Sequence, residues 1–279
     1  FFCYLCSMKE KLKNILSVPT YTWEEDQLIA YVTNILEEKG YPYYLDDLGS
    51  IYITKGKSEY YPCLVAHLDS VHQIKEYEVV EESQLNTQGE DKPSLVGYDS
   101  VTGERCGVGG DDKAGVFICL ELLDKFDNIK AFFPVAEEIG CKGSKAADES
   151  FFKDVGYAVQ FDSTENNTMS KTLLGVELYE DGGEFINKCK GLILEHGISE
   201  WKHHPYTDTM VLKERFDFSC LNFAAGYYGW HSNTEYVVIE DVKNAISLGE
   251  KVINKLGNQK YQYEHKINNF VWGLGLPIV

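Results

Sequence analysis

Basic residues are scarce in this 279-residue chain: 26 Lys and Arg stand against 44 Asp and Glu, a formal net charge of −18. That deficit excludes a broad phosphate-binding face and with it a nucleic-acid partner. Long apolar runs are missing as well. The apolar stretch Phe1–Cys6 is too short to cross a bilayer and has no basic leader before it, so no membrane partner is expected. The cysteines lack scaffold spacing. Cys63, Cys106, Cys119, Cys141, Cys189 and Cys220 are scattered, which reads as reduced thiols of a cytoplasmic protein rather than a disulfide framework. Cys3 and Cys6 form one Cys-x-x-Cys without the second pair that a structural zinc site needs. No internal repeat, linker or low-complexity run interrupts the chain.

What is present is globular in kind. Hydrophobic residues at 44% and aromatics at 13% argue against disorder, and the length allows one large core or two modest domains. Met8-Lys9-Glu10-Lys11 looks like a natural start, so residues 1–7 are read as an added or upstream segment and residues 8–279 as the domain.

Apolar periodicity predicts a first helix through Leu16 and a second over Trp23–Lys39, with Thr22 as N-cap and Gly40 as stop. A strand pair is expected at Tyr43–Leu45 and Ile51–Thr54, and buried strands at Cys63–Ala66, Ala131–Ala136 and Tyr157–Phe161. Residues 73–105 are polar, with strand-like pieces at Glu78–Val80 and Ser94–Gly97. Helices are expected at Ala114–Leu123, Gly183–His196 and Val242–Leu256, and a further strand near Leu221–Ala225. Strands alternating with helices predict an α/β fold, a mostly parallel central sheet covered by helices on both faces.

Five stretches carry candidate chemistry: His67 and Asp69 in Ala-His-Leu-Asp-Ser, Asp111 in Gly-Gly-Asp-Asp-Lys-Ala-Gly, Glu137-Glu138, Asp162, and His231. Each lies at or near a predicted strand end, where open α/β sheets collect ligands. Carboxylates mixed with imidazoles suit hard and borderline cations. The set suffices for two metals, a bridging carboxylate and a spare glutamate base, which points to hydrolysis. Each stretch alone has a plainer reading. A Glu-Glu pair is usually solvated, yet this one ends the apolar run Ala131–Ala136. Asp111 or Asp112 can be a helix N-cap, and a lone His231 reads as a core histidine. Their joint order overrides these readings. His72, His196 and His265 read as solvated, His203-His204 as part of a polar loop, and Cys106 and Cys141 as small packing residues.

From about Tyr61 to Tyr236 the ordered motifs resemble the co-catalytic di-zinc exopeptidases, the clan that includes peptidase T, the compact bacterial leucyl aminopeptidases and related deacylases. The resemblance implies that His67 and Asp162 bind one metal, Glu138 and His231 the other, and Asp111 bridges them. Asp69, two residues after His67, would orient its imidazole, and Glu137 would be the general base. It also implies two divalent cations, zinc first with cobalt or manganese as alternatives, a small peptide substrate, and a cis bond after Asp111. Asp112 and Asp162 match aminopeptidase-type members, where deacylases tend to have Met and Glu. Carboxypeptidase, N-acyl amino-acid deacylase, single-zinc acyltransferase and inactive metal-binding assembly protein are the alternatives.

Peptidase T-like enzymes insert a lid domain of on the order of a hundred residues before the final histidine. Asp162 and His231 are only 69 positions apart here, so a single catalytic domain without an inserted lid is expected, with Ser163–Ser170 marking the lost insertion. Tyr227, Tyr228 or His204 would then replace a lid-borne oxyanion donor, and Thr207-Asp208 resembles a pair near the family's cleft. The apolar tail 270–279 packs either on its own core or on a second copy, which leaves a homo-oligomer open.

Overall fold

The short apolar runs between Gly- and Asp-rich turns become strands, and the amphipathic runs become helices. The computed structural model describes residues 2–73, 76–173, 175–204 and 207–263. Helices α1 (Phe2–Leu16) and α2 (Asp26–Lys39) lead into β1 (Tyr43–Leu45), β2 (Ile51–Lys55) and β3 (Tyr61–Val65). Next come β4 (Tyr77–Leu85), β5 (Asp91–Asp99), β6 (Arg105–Cys106), α3 (Gly110–Leu123) and β7 (Ile129–Phe133). Short helices α4 (Lys142–Ala146) and α5 (Glu149–Phe152) precede β8 (Val155–Ser163), β9 (Thr168–Leu173) and β10 (Val176–Glu177). The chain continues through α6 (Glu184–Glu195), β11 (Glu200–His204), α7 (Asp208–Phe216) and β12 (Ser219–Ala224). It closes with β13 (Tyr227–Tyr228), β14 (Tyr236–Val238) and α8 (Ile239–Leu256).

Nine strands form the main sheet in the order β1-β2-β7-β3-β8-β12-β9-β10, with β11 beside β9. Its centre is parallel, as expected: β3 runs parallel to β7 and β8, and β12 to β8. The flanks are mixed, since β2 is antiparallel to β1 and β7, and β9 to β12 and β10. Every residue of β3, β7, β8 and β12 is buried, as strands covered by helices on both faces must be. Phe132, Phe133, Tyr157 and Phe161 are fully enclosed, each worth about 1.5–3 kcal/mol of burial. Helix α8 closes on this core at Gly249, where a Cβ would meet Leu122 at 2.7 Å and Phe161 at 2.8 Å. The chain visits β7 on one side of β3 and then β8 on the other. The carboxyl ends of these three strands therefore flank a topological switch point.

A second, wholly antiparallel sheet was not anticipated beyond its two strand-like pieces. It has the order β13-β14-β5-β4, with β6 on β5. Its strands β13 and β14 frame the loop that carries His231. Between Asp162 and His231, all described strands join one of the two sheets, and β8 passes to β9 through residues 164–167 without an inserted domain.

Two boundaries shift for local reasons. Helix α2 starts at Asp26 rather than Trp23 because Trp23 is left-handed, at φ 66, and Thr22 does not cap it. Strand β7 stops at Phe133, because Pro134 has no N–H for the ladder and Ala136 takes φ 53. Helices α4, α5 and α7 and strands β9, β10 and β11 had no expectation attached, and β11 places His203 and His204 on a strand paired with β9 rather than in a polar loop. Among the described residues no helix is long and apolar enough to cross a membrane. His265 and the tail 270–279 lie outside the described residues.

Candidate metal centre

The carboxyl ends of β3 and β8 bring His67 and Asp162 together, and α3 opens beside them with Asp111. Asp111 and Asp112 are not helical, and the peptide bond between them is cis, as the resemblance implied. The regular part of α3 begins after Asp112, whose Oδ1 accepts the Gly115 N–H at 3.1 Å as an N-cap, while Oδ2 accepts the His67 N–H at 3.2 Å. Asp112 also groups with His67 and Asp162, with ligand atoms within 4.8 Å of one another, while each of its oxygens accepts one backbone N–H.

Asp111 divides its carboxylate between two imidazoles. Oδ1 lies 3.1 Å from His67 Nε2 and Oδ2 3.3 Å from His231 Nε2. Each imidazole faces a second carboxylate, Asp162 Oδ1 at 3.8 Å from His67 and Glu138 Oε2 at 3.0 Å from His231. Donors sharing one tetrahedral ion with bonds near 2.0–2.2 Å stand about 3.3 Å apart, and these four imidazole–carboxylate separations run from 3.0 to 3.8 Å; ligand atoms of His67, Asp111 and Glu138, and of His67, Asp112 and Asp162, also lie within 4.8 Å of one another. Charge agrees. Burial pushes the carboxyls of Asp112, Glu137 and Asp162 well above the usual range, and that of Glu138 upward. Burial would raise Asp111 too, but hydrogen bonds from His231 and His67 hold it low. A cluster of this kind needs positive charge to stay ionised, which divalent cations would supply.

Asp69 contacts more than an imidazole. Fully buried, it lies 3.3 Å from His67 Nδ1 through Oδ1, which also accepts the Glu137 N–H at 2.8 Å. Its Oδ2 accepts the Glu138 N–H at 3.2 Å and the Thr22 hydroxyl at 2.8 Å. Expectation placed Glu137 and Glu138 on an extended strand pointing opposite ways. They sit instead in a turn after β7, closed by Gly140 and Cys141 N–H bonds to the Glu137 carbonyl, and Asp69 holds both their amides. Glu138 meets His231. Glu137 is buried against the cluster, where the charges of His67, Asp162 and Asp208 act on it, and its Oε1 accepts the Cys141 thiol at 3.4 Å.

Several supporting side chains carried no sequence signal of their role. Glu25 accepts the Ala136 N–H at 3.1 Å, and Glu235 accepts the N–H of Asp111 at 3.1 Å. Gln160, two residues before Asp162 on β8 and so on its face, donates to Asp162 at 3.2 Å; the period of two could have found it. The Thr207 hydroxyl lies 2.6 Å from Asp162 Oδ2, and Asp208, at the base of the same turn, is fully buried with Oδ1 on the Ser144 hydroxyl at 2.6 Å. Burial raises Asp208 to about 6.

The oxyanion candidates are engaged otherwise. The Tyr227 hydroxyl donates to Asp162 at 3.2 Å and that of Tyr228 to Asp241 at 2.7 Å. The side chains of His203 and His204 lie outside the described residues. Two histidines read as solvated are not. His72 packs with Nε2 3.2 Å from Glu235, and His196 is buried with Nδ1 2.8 Å from the Leu192 carbonyl at the end of α6. Cys106 and Cys141 are buried, and all six cysteines with described side chains are free thiols.

Thr22→Val tests the support under Asp69. Removing a hydroxyl donor to a buried carboxylate should cost about 1.5–3 kcal/mol. The check is denaturant unfolding of chelator-treated protein, where bound cations cannot mask the loss; an unchanged midpoint would show that the bond carries nothing.

No protein-family model and no curated protein matches the sequence. Solved structures do match in fold. Aminopeptidase PepT from Bacillus cereus superposes with a TM-score of 0.70 at 13% identity, over 89% of this chain and 98% of that one. A tripeptidase from Staphylococcus aureus gives 0.68 at 12% identity, covering 89% and 97%. The TET1 peptidase of Pyrococcus horikoshii, which can assemble into a tetrahedron or a large octahedral shell, gives 0.62 at 16% identity, covering 87% and 98%. The chain has the fold of these peptidases.

Proposed function

We propose that this protein is a metal-dependent aminopeptidase that removes N-terminal residues from peptides. One observation carries the reading: Asp111 presents one oxygen to His67 and the other to His231, and each imidazole meets a further carboxylate. His67, Asp111 and Asp162 would hold one divalent cation, and Asp111, Glu138 and His231 a second, with zinc as the native ion and cobalt or manganese as substitutes. When bound, the cations would make water more acidic and polarise a scissile carbonyl.

The protein's own residues do the rest. Asp69 aims His67 through Nδ1 and holds the turn that presents Glu137. Glu137 takes the proton of the attacking water and returns it to the leaving amine. Thr207, Gln160 and Tyr227 keep Asp162 from turning away. Without an inserted lid, the substrate is bounded by loops of the domain itself, so peptides longer than tripeptides are accepted. Self-association belongs to the same reading, and light scattering checks it.

The test compares one peptide with its N-acetylated form. Trimming should start at the free amino end, fail on the acetylated peptide, stop on chelation and return with Zn²⁺, Co²⁺ or Mn²⁺. Equal cleavage of both peptides, or trimming from the carboxyl end, transfers the assignment to a deacylase or carboxypeptidase.

A further inference from the structure

Glu235 is a buried carboxylate that this reaction leaves unused. Its side chain is fully enclosed. Oε2 accepts the Gly109 N–H at 2.6 Å and Oε1 accepts the Asp111 N–H at 3.1 Å. Gly109 is left-handed, at φ 65 and ψ 40, the kind of local geometry that turns nearby N–H groups toward one anion. Here the anion is a side chain, and it grips the backbone of the residue that faces both imidazoles.

The origin of that side chain matters. Glu235 lies four residues after His231, in the single loop between β13 and β14. One end of this loop presents His231 to Asp111 Oδ2, and the other binds the Asp111 amide. The loop's hold on Asp111 is therefore double, once through the side chain and once through the backbone. Packing leaves the gripped segment little play: a Cβ at Gly110 would come 2.6 Å from Val237 and 2.8 Å from Tyr227. The far side of the grip is occupied by His72, whose Nε2 lies 3.2 Å from Glu235 Oε2 and whose ring would meet a Cβ at Gly107 at 2.1 Å.

We propose that Glu235 is the positioning residue that keeps the bridging carboxylate of Asp111 in register with His231, so that the two cation sites are coupled through one side chain. This rests on the two-cation reading above. Glu235→Gln preserves size but leaves one acceptor for two N–H donors and sets an amide nitrogen against the other. Glu235→Asp keeps both acceptors and the charge but falls one methylene short of spanning both amides.

The experiment titrates metal-free full-length wild type, Glu235→Gln and Glu235→Asp with Co²⁺ by calorimetry. Electron paramagnetic resonance then reads spin coupling in the loaded proteins. Wild type should take two Co²⁺ per chain with a coupled spectrum. The Gln variant should bind the second ion at least tenfold more weakly and lose the coupling, and the Asp variant should fall between. Melting of the metal-free proteins measures any loss of stability separately. A lower melting temperature with wild-type stoichiometry, affinity and coupling would overturn the inference, because Glu235 would then only support the loop. Should the Gln variant not fold, the same comparison on the Asp variant decides. Wild type binding fewer than two ions would strike the two-cation reading itself.

Discussion

Glu137→Gln should lower kcat on a free-amine peptide by about 10⁴-fold, the upper end of what a positioned proton acceptor supplies, while leaving the fold and cation stoichiometry unchanged. The amide has the shape of the acid but cannot accept the proton of the attacking water. Nothing else at the site should move. Both proposed ligand sets are built from other side chains, and the turn is held by the Glu137 and Glu138 amides on Asp69, which the substitution keeps. The Cys141 thiol can still donate to the remaining carbonyl oxygen. KM should therefore change much less than kcat. Steady-state kinetics beside elemental analysis of the purified variant provides the measurement. Near-normal turnover with both cations present would mean that a different group is the base.

Asp111→Asn should lower affinity at both cation sites together, by roughly 10²-fold or more, beyond the 10–100-fold expected for an outer partner. Asp111 lies 3.1 Å from one imidazole and 3.3 Å from the other. The neutral amide removes the negative charge that both cations would share, and it also leaves either His67 or His231 facing an N–H donor, so both sites weaken. Glu138→Gln is the contrast, since Glu138 lies 3.0 Å from His231 and belongs to one proposed ligand set only, and it should weaken one site much more than the other. Calorimetric titration of both variants separates the cases. One site at wild-type affinity in Asp111→Asn would show that Asp111 does not bridge.

Both expectations depend on a grouping that was legible before any coordinates. His67, Asp111, Glu137, Glu138, Asp162 and His231 lie at predicted strand ends or in loops near them, and a strand's end is readable because its pattern is local. The buried strands at residues 61–65, 129–133 and 155–163 lie within a few residues of their expected positions, and the helices at 184–195 and 239–256 likewise. Errors arose where one residue's backbone overruled a pattern, as at Trp23 and Ala136. They also arose where a strand buries almost no side chain, as in β4, of whose nine residues only Val79 is buried.

Residue chemistry and local periodicity thus determined from sequence alone the α/β class, the parallel centre of the sheet and the set of side chains that could meet. Tertiary structure alone decided how they meet. It set the split of the Asp111 oxygens, the double hold of Asp69 on the Glu137 turn, the second sheet under the His231 loop, and the roles of Thr22, Glu25 and Glu235. The physical reason is sequence distance. The hydrogen bonds that make these roles join residues 47, 111 and 124 positions apart. A lone Thr or Glu has no period, cap or motif to announce a partner that far along the chain; only the packed sheet brings the two ends within bonding reach.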